Sequence, residues 1–345
     1  MNPILFYEYG KNKITVPFIS TWKTDNTSAT TTANNKVRLP LLFNGLYSFT
    51  VDWGDSSTNF ITDYLDSNAT HTYSSIGTYV ITITGVLKGW GNSTNPYDAI
   101  KLISIQQWGI FNPGNSGGSF SAYSNLNLSS VSDVIDLSGV TSLNQFFSGC
   151  TALTSVNRIN EWQTNSVQNF SSIFANCTNF NQNISSLNIS NGNNFSSMFA
   201  NCTNYNNGGN DGIKNWAFKT TGTINASAMF SQAINFNQPF TNWNTIAFTN
   251  MSNMLFGFSM KINQNYGNLN ISNVTNFTNF MTGHQAVNMS TANLDNTYIG
   301  WAALPSVKPN ITITFGSAKR TAASTSARAV LTGSPNNWSI TDGGI

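Results

Sequence analysis

One twelve-residue string returns along this chain at nearly constant spacing, and that self-similarity limits the possible folds more than any other feature. The clearest copies are NFSSIFANCTNF (Asn169 to Phe180) and NFSSMFANCTNY (Asn194 to Tyr205). Weaker copies begin at Ser142, Asn225, Asn250 and Asn276, and a degenerate one at Asn115. The starts 115, 142, 169, 194, 225, 250 and 276 are separated by 27, 27, 25, 31, 25 and 26 residues.

Aligned on these starts, the apolar residues fall into columns. Seven positions before each start stand Trp108, Ile135, Trp162, Leu187, Phe218, Trp243 and Leu269. Five positions after it stand Phe120, Phe147, Phe174, Phe199, Phe230, Leu255 and Met281, and eight after it Tyr123, Cys150, Cys177, Cys202, Ala233, Phe258 and His284. One repeat is too small to enclose a core, so neighbouring copies must stack and bury these columns between them. Each copy reads as a short extended piece such as SLNIS (Ser186 to Ser190), a turn, and a helix-compatible NFSSMFANC whose leading Asn is placed to cap it. The expectation is a leucine-rich-repeat-like solenoid over residues 99–298, with a short strand and a short helix in each of about seven coils, and a C-terminal cap over 299–345. The extra NNGGNDG (Asn206 to Gly212) reads as a loop bulging from one coil.

Residues 14–98 have another texture. YSFTVDW (Tyr47 to Trp53) and TYVITIT (Thr78 to Thr84) alternate in polarity between turn residues, the mark of half-buried strands. The strings VDWGDSS (Val51 to Ser57) and HTYSSIGTYVITITG (His71 to Gly85) resemble the PKD-type, immunoglobulin-like β-sandwich. The resemblance rests on Trp53, Gly54, Asp55, His71, Tyr73, Gly77 and Tyr79, with Ser56 where that family usually has Gly. It implies a spacer or interaction module of extracellular proteins and particles. The repeats resemble the BspA-like leucine-rich-repeat surface proteins, through TNWNTIAFTNMSNM (Thr241 to Met254), NVTNFTNFM (Asn273 to Met281) and FNQNISSLNIS (Phe180 to Ser190). That second resemblance covers about residues 100–300 and implies a surface-exposed or adhesive role.

Composition narrows the function. Of 345 residues only 28 are charged, 15 basic and 13 acidic, giving a net charge of +2. So few scattered cations offer little to neutralise phosphates, which argues against a nucleic-acid partner. No apolar run reaches membrane-spanning length. Aromatics make up 13% of the chain, enough for a substantial core. MNPILFYEYGKNK (Met1 to Lys13) lacks the basic start and long apolar run of a secretory signal, so export by that route is not expected.

Chemistry-bearing residues are sparse. Residues 109–300 hold five carboxylates, Asp133, Asp136, Glu161, Asp211 and Asp295, with only Asp133 and Asp136 close in sequence. A carbohydrate-active enzyme using that pair is a remote alternative. Asp52 and Asp55 offer oxygen ligands to calcium, against a plain turn between strands. Cys150, Cys177 and Cys202 share a core column, which suits buried thiols, although a disulfide between adjacent coils stays open. His71 reads as packing within its string and His284 as an edge-of-core residue, so no zinc site assembles. Asn-x-Ser/Thr triplets such as those at Asn169, Asn188 and Asn270 follow from composition, because 53 residues are Asn. Lys319, Arg320 and Arg328 form the densest basic patch.

What remains is surface chemistry. An exterior of amides and hydroxyls with occasional rings suits glycan contact, or packing against neighbouring subunits. The chain is therefore expected to be a non-enzymatic virion protein without cofactor or metal: a tail fibre, head fibre or decoration component. Residues 1–13 and the sandwich would join it to other virion proteins, the solenoid would meet a host glycan or protein, and a homo-oligomer is expected. The alternative is an adhesin on a bacterial cell surface.

Overall fold

The computed structural model describes residues 16–91 and 98–345. The expected attachment segment, 1–13, lies outside them. Strands β1 (Phe18–Lys23), β3 (Leu41–Asp52), β4 (Thr58–Ile61), β6 (Thr78–Trp90), β7 (Leu102–Gln107) and β8 (Phe111–Asn112) form one six-stranded sheet, in the order β4-β3-β6-β1-β7 with β8 also against β6. Every pairing is antiparallel except β6–β8. Alternation sets which side is buried: Phe49, Val51, Ile81 and Ile83 point inward while Thr50, Val80 and Thr84 face out.

The two-sheet sandwich expected over 14–98 is not what forms. Among the described residues of this region the other sheet is the two-stranded pair of β2 (Lys36–Arg38) and β5 (Thr70–Thr72). The sheet also runs past the expected boundary, because β7 and β8 belong to it. Lys101 and Asp98, both fully buried, hold the 32–38 segment at this boundary. The Lys101 ammonium donates to the carbonyls of Thr32, Ala33 and Lys36, and Asp98 accepts from the backbone N–H groups of Thr32 and Arg38.

The leucine-rich-repeat-like solenoid of strand and helix is corrected as well. No repeat contains an α-helix. Among the described residues the two α-helices are α1 (Thr291–Ala302), which follows the last twelve-residue copy and crosses the expected 298/299 boundary, and α2 (Thr325–Thr332). The reason lies in the backbone of the supposed helical segment. Its fourth residue (Gly118, Gln145, Ser172, Ser197, Ala228, Asn253 and Asn279) has positive φ in all seven copies. Its eighth (Ala122, Gly149, Asn176, Asn201, Gln232 and Gly283) has positive φ in all but the copy starting at 250. A left-handed residue every fourth position cannot belong to a right-handed helix.

These turns satisfy their amides alternately. In the copy starting at Asn169, the N–H groups of Phe170, Ser172, Phe174 and Asn176 donate to the next copy's Asn194, Ser196, Met198 and Ala200 carbonyls. Those of Ile173, Ala175 and Cys177 close turns within the copy. The remaining N–H, that of Ser171, donates to the Asn169 side chain at 3.0 Å. The leading Asn is thus an Asx-turn former, not a helix cap. The same bond recurs at Asn194, Asn225, Asn250 and Asn276.

The layers grow directly from the sheet. Asn127 and Ser132 donate to the Ile103 and Gln106 carbonyls of β7. Short parallel pairs, including β9 (Ile224–Asn225) with β10 (Phe248–Asn250), join later copies. At the far end Met281 donates to Thr314 of β11 (Thr312–Thr314), which pairs in parallel with β12 (Ser339–Thr341). Arg320 and Arg328 of the basic patch both approach the buried Asp342 carboxylate, at 3.8 and 2.9 Å. One continuous hydrophobic cluster runs from the sheet through every layer to Trp338.

Candidate functional site

The interior of the repeats is a column of rings. Phe120, Phe147, Phe174, Phe199 and Phe230 stack with centroids 5.5 to 5.9 Å apart. A second stack, Phe180, Tyr205 and Phe236, lies against it. Trp108 and Trp162 meet edge to face at 6.4 Å, while Trp243 packs on Phe240 at 4.2 Å and donates its indole N–H to the Ile213 carbonyl.

The cysteine column has a polar task. Cys150, Cys177 and Cys202 are free, buried thiols, and each donates to the carbonyl of the preceding copy's ring residue: Phe120, Phe147 and Phe174 at 3.0, 2.9 and 2.6 Å. His284 takes the same role, its Nε2 3.0 Å from the Leu255 carbonyl. Burial pushes the Cys177 thiol up to about 12 and the His284 imidazole down to about 4. These groups are neutral donors inside a core, without the exposure a nucleophile or ligand needs.

The PKD-like residues gather at one end of the sheet. Trp53 stacks on His71 at 4.9 Å, His71 meets Tyr73 edge-on, and Tyr73 stacks on Tyr79 and donates to the Trp53 carbonyl. Gly54 donates to the Asp52 carboxylate, and Gly77 to the Thr24 hydroxyl. Ser57, His71 and Asp55 lie together, but both Ser57 Oγ and His71 Nε2 engage the Asp55 carboxylate, so the hydroxyl is not activated by the imidazole. Partial burial raises the Asp55 carboxyl, and the bonds from Ser57 and His71 outweigh it and hold the group below its ordinary value. Among the described residues no three His, Cys, Asp or Glu side chains converge to hold a metal ion. Asp133 accepts from the N–H groups of Trp108 and Gly109, both at 2.7 Å, and Asp136 accepts from Ser138. Both belong to one layer, where Asp133 ties it to the preceding layer and Asp136 closes a local turn.

Outside, the repeats present two rows of side-chain amides. In one, Lys261 donates to Asn235 at 2.8 Å, Asn235 to Asn204 and Asn204 to Asn179 at 3.4 Å each, and Asn179 to the Thr151 carbonyl. Each of the three amides uses one N–H and one lone pair in this head-to-tail chain, leaving the others for solvent. Beside it run Asn176, Asn201 and Gln232, with Asn201 donating to Asn176 at 3.0 Å. The rows end at Phe258, which is 60% exposed although its sequence column is otherwise buried. The copy starting at 250 has one extra residue before Ile262, and this turns the ring outward over Gly283. Sequence reasoning missed this face. The recurrence of Asn179, Asn204 and Asn235 ten positions after their starts was its signal.

The FNQ element, by contrast, is structural. The side-chain oxygens of Asn181, Asn206, Asn237 and Asn263 accept backbone N–H groups from the following layer, at Asn206, Asn237, Asn263 and Ser290. Gln238 and Gln264 donate back to Asn206 and Asn237.

A family model described as "Mycoplasma protein of unknown function, DUF285" matches residues 116–220 and again 209–296, together just over half of the chain. No curated protein and no solved structure matches.

Proposed function

The chain belongs to that family, a surface-repeat family without an assigned activity, and on this premise we propose that it is a non-enzymatic adhesion protein displayed on an outer surface. Its contact face is the double row of amides ending at Phe258 and Lys261. The observation that supports this reading is the row itself: unpaired amide donors and acceptors repeat once per layer, close to the length of one sugar unit in an extended glycan. Amides with a lone-pair and an N–H to spare match sugar hydroxyls, and an exposed ring offers a face for sugar C–H groups. The carboxylates that would perform hydrolysis, Asp133 and Asp136, are bound to backbone amides, which favours contact over catalysis. Among the described residues no helix is long and apolar enough to cross a membrane.

The family match favours a cell envelope as the carrier. Display on a virus or phage particle, and attachment there through residues 1–13, draws no support from it. Immunogold microscopy of the source culture with antibody to the repeats separates the two. Label on envelopes is the expected result, label on particles would transfer the protein to the virion, and label confined to the cell interior would overturn surface display. Retention of the purified chain on insoluble polysaccharides tests the face: Asn204→Ala with Phe258→Ala should abolish it, and unchanged retention would remove this face from consideration.

A further inference from the structure

A cleft of about 420 Å³ lies where the sheet meets the first repeat, away from the amide rows. Asn44, Leu46 and Lys88 form one wall, and Gly114, Asn115 and Ser116 the other. Lys88 stands on β6 opposite Leu46 of β3. Among the described residues its ammonium makes no ion pair or hydrogen bond, and no carboxylate lines the cleft.

The frame around this ammonium is rigid. Gly89, with φ +97°, forms the floor, where a Cβ would stand 2.8 Å from Gly45 Cα. The buried Tyr47 hydroxyl holds that floor by donating to the Gly89 carbonyl at 2.9 Å while accepting from the Leu42 N–H. On the far wall the Asn115 side-chain oxygen accepts from the Thr141 and Ser142 N–H groups and its amide donates one N–H to the Gly139 carbonyl, leaving the second N–H without a protein partner among the described residues. The Asn44 amide and the Ser116 hydroxyl have no protein partner among the described residues. Leu46, 61% exposed, supplies an apolar surface beside them.

These groups define a ligand. One unpaired ammonium calls for one negative charge, a free amide and hydroxyl call for hydroxyl groups, and Leu46 calls for a C–H face. The volume admits one sugar ring with its substituents. An inorganic anion would leave Leu46 and Asn44 unmatched. We propose that this cleft binds a sugar residue carrying a carboxylate, of the hexuronic or sialic acid type. The site is independent of the amide rows and stands or falls separately.

The test is calorimetric titration of the full chain with glucuronic acid, N-acetylneuraminic acid and glucose. At least one acidic sugar should bind about tenfold more tightly than glucose, the difference one charge-assisted contact makes, and added salt should weaken it. Lys88→Gln should erase the preference while leaving the melting temperature unchanged, and Lys88→Arg should keep it. Lys319→Gln, outside both the cleft and the amide rows, should leave it intact. Equal binding of acidic and neutral sugars, no binding of either, or a preference that survives in Lys88→Gln would overturn the proposal.

Discussion

In the six-stranded sheet, strands of up to 13 residues are extended and paired over most of their length, broken by a bulge between Leu41 and Leu46 and by positive φ at Gly85 and Gly89. In the repeats, the longest strand of the stacked layers has three residues, yet all eight amides from Phe170 to Cys177 are bonded, half of them to the next layer. Apart from those positions the sheet uses one conformation repeated, with side chains alternating in and out. The layers use right-handed and left-handed residues in a fixed order, which lets a chain turn tightly while still aiming alternate N–H groups at its neighbour. The comparison teaches that backbone satisfaction does not require regular secondary structure. It requires a sequence that tolerates positive φ at set positions, which an Asn-, Gly- and Ser-rich chain provides.

The largest test of this contrast is in the ring column. Phe174 touches Phe147, Phe199 and Phe180, so Phe174→Ala should cost about 4 kcal/mol. Phe49→Ala in the sheet should cost a similar amount. The two should differ in urea titrations: the array variant should lower the m-value as layers uncouple, and the sheet variant should not. Equal m-values would show that both regions unfold as one unit.

Next in size is an acid sensitivity confined to the last repeat. Burial pushes the His284 imidazole down to about 4, with the Leu255 hydrogen bond opposing it, whereas the unfolded chain takes up that proton near 6.5. Stability from this site is complete above pH 6.5 and is lost as pH falls toward 4, by up to about 3 kcal/mol. His284→Cys restores the donor used by Cys150, Cys177 and Cys202 and should flatten the profile over that window. Urea midpoints at pH 7.5 and 4.5 for both proteins decide it; identical pH dependence would mean the imidazole is not the source.

Glycine should act with opposite sign in the two regions. Ser197 has φ +55°, so Ser197→Gly should be neutral or stabilise by up to about 1 kcal/mol, and Ser197→Val should cost about 1–2 kcal/mol. Thr82, in β6, lies within a strand, and Thr82→Gly should cost about 1 kcal/mol. Thermal melts of the three variants measure this. A smaller sharpening lies in the turn after β3, where Ser56 adopts φ +74°; Ser56→Gly should raise stability by about 0.5–1 kcal/mol, and a loss would show that the serine is held by more than its backbone.

Much of the architecture was legible because burial follows side-chain type. Phe147, Phe174, Phe199 and Phe230 recur at one position, and a recurring large apolar residue has nowhere to go but between layers. The helix reading failed because NFSSMFANC has helix-compatible spacing and no proline, while the deciding variable was φ at Ser197 and Asn201. Neither residue type announces a left-handed conformation, since serine adopts it rarely and asparagine only sometimes. The amide rows were half-visible in the Asn column and hidden by an excess of asparagine, most of which closes turns. The cleft at Lys88 had no sequence signal, because Asn44, Lys88 and Ser116 are distant in the chain and unremarkable in type.

By itself, the sequence determined the repeat period, the residues that line the core and the scarcity of charge. These are sums over local chemistry: apolar area leaves water wherever the period allows it. Only the tertiary structure decided that the repeats are stacked turns, that a single large sheet replaces a sandwich, and that Phe258 points outward. Each of these depends on contacts between residues 24 or more apart, and their free energy is settled by which layer lies opposite, not by the residue's own preference.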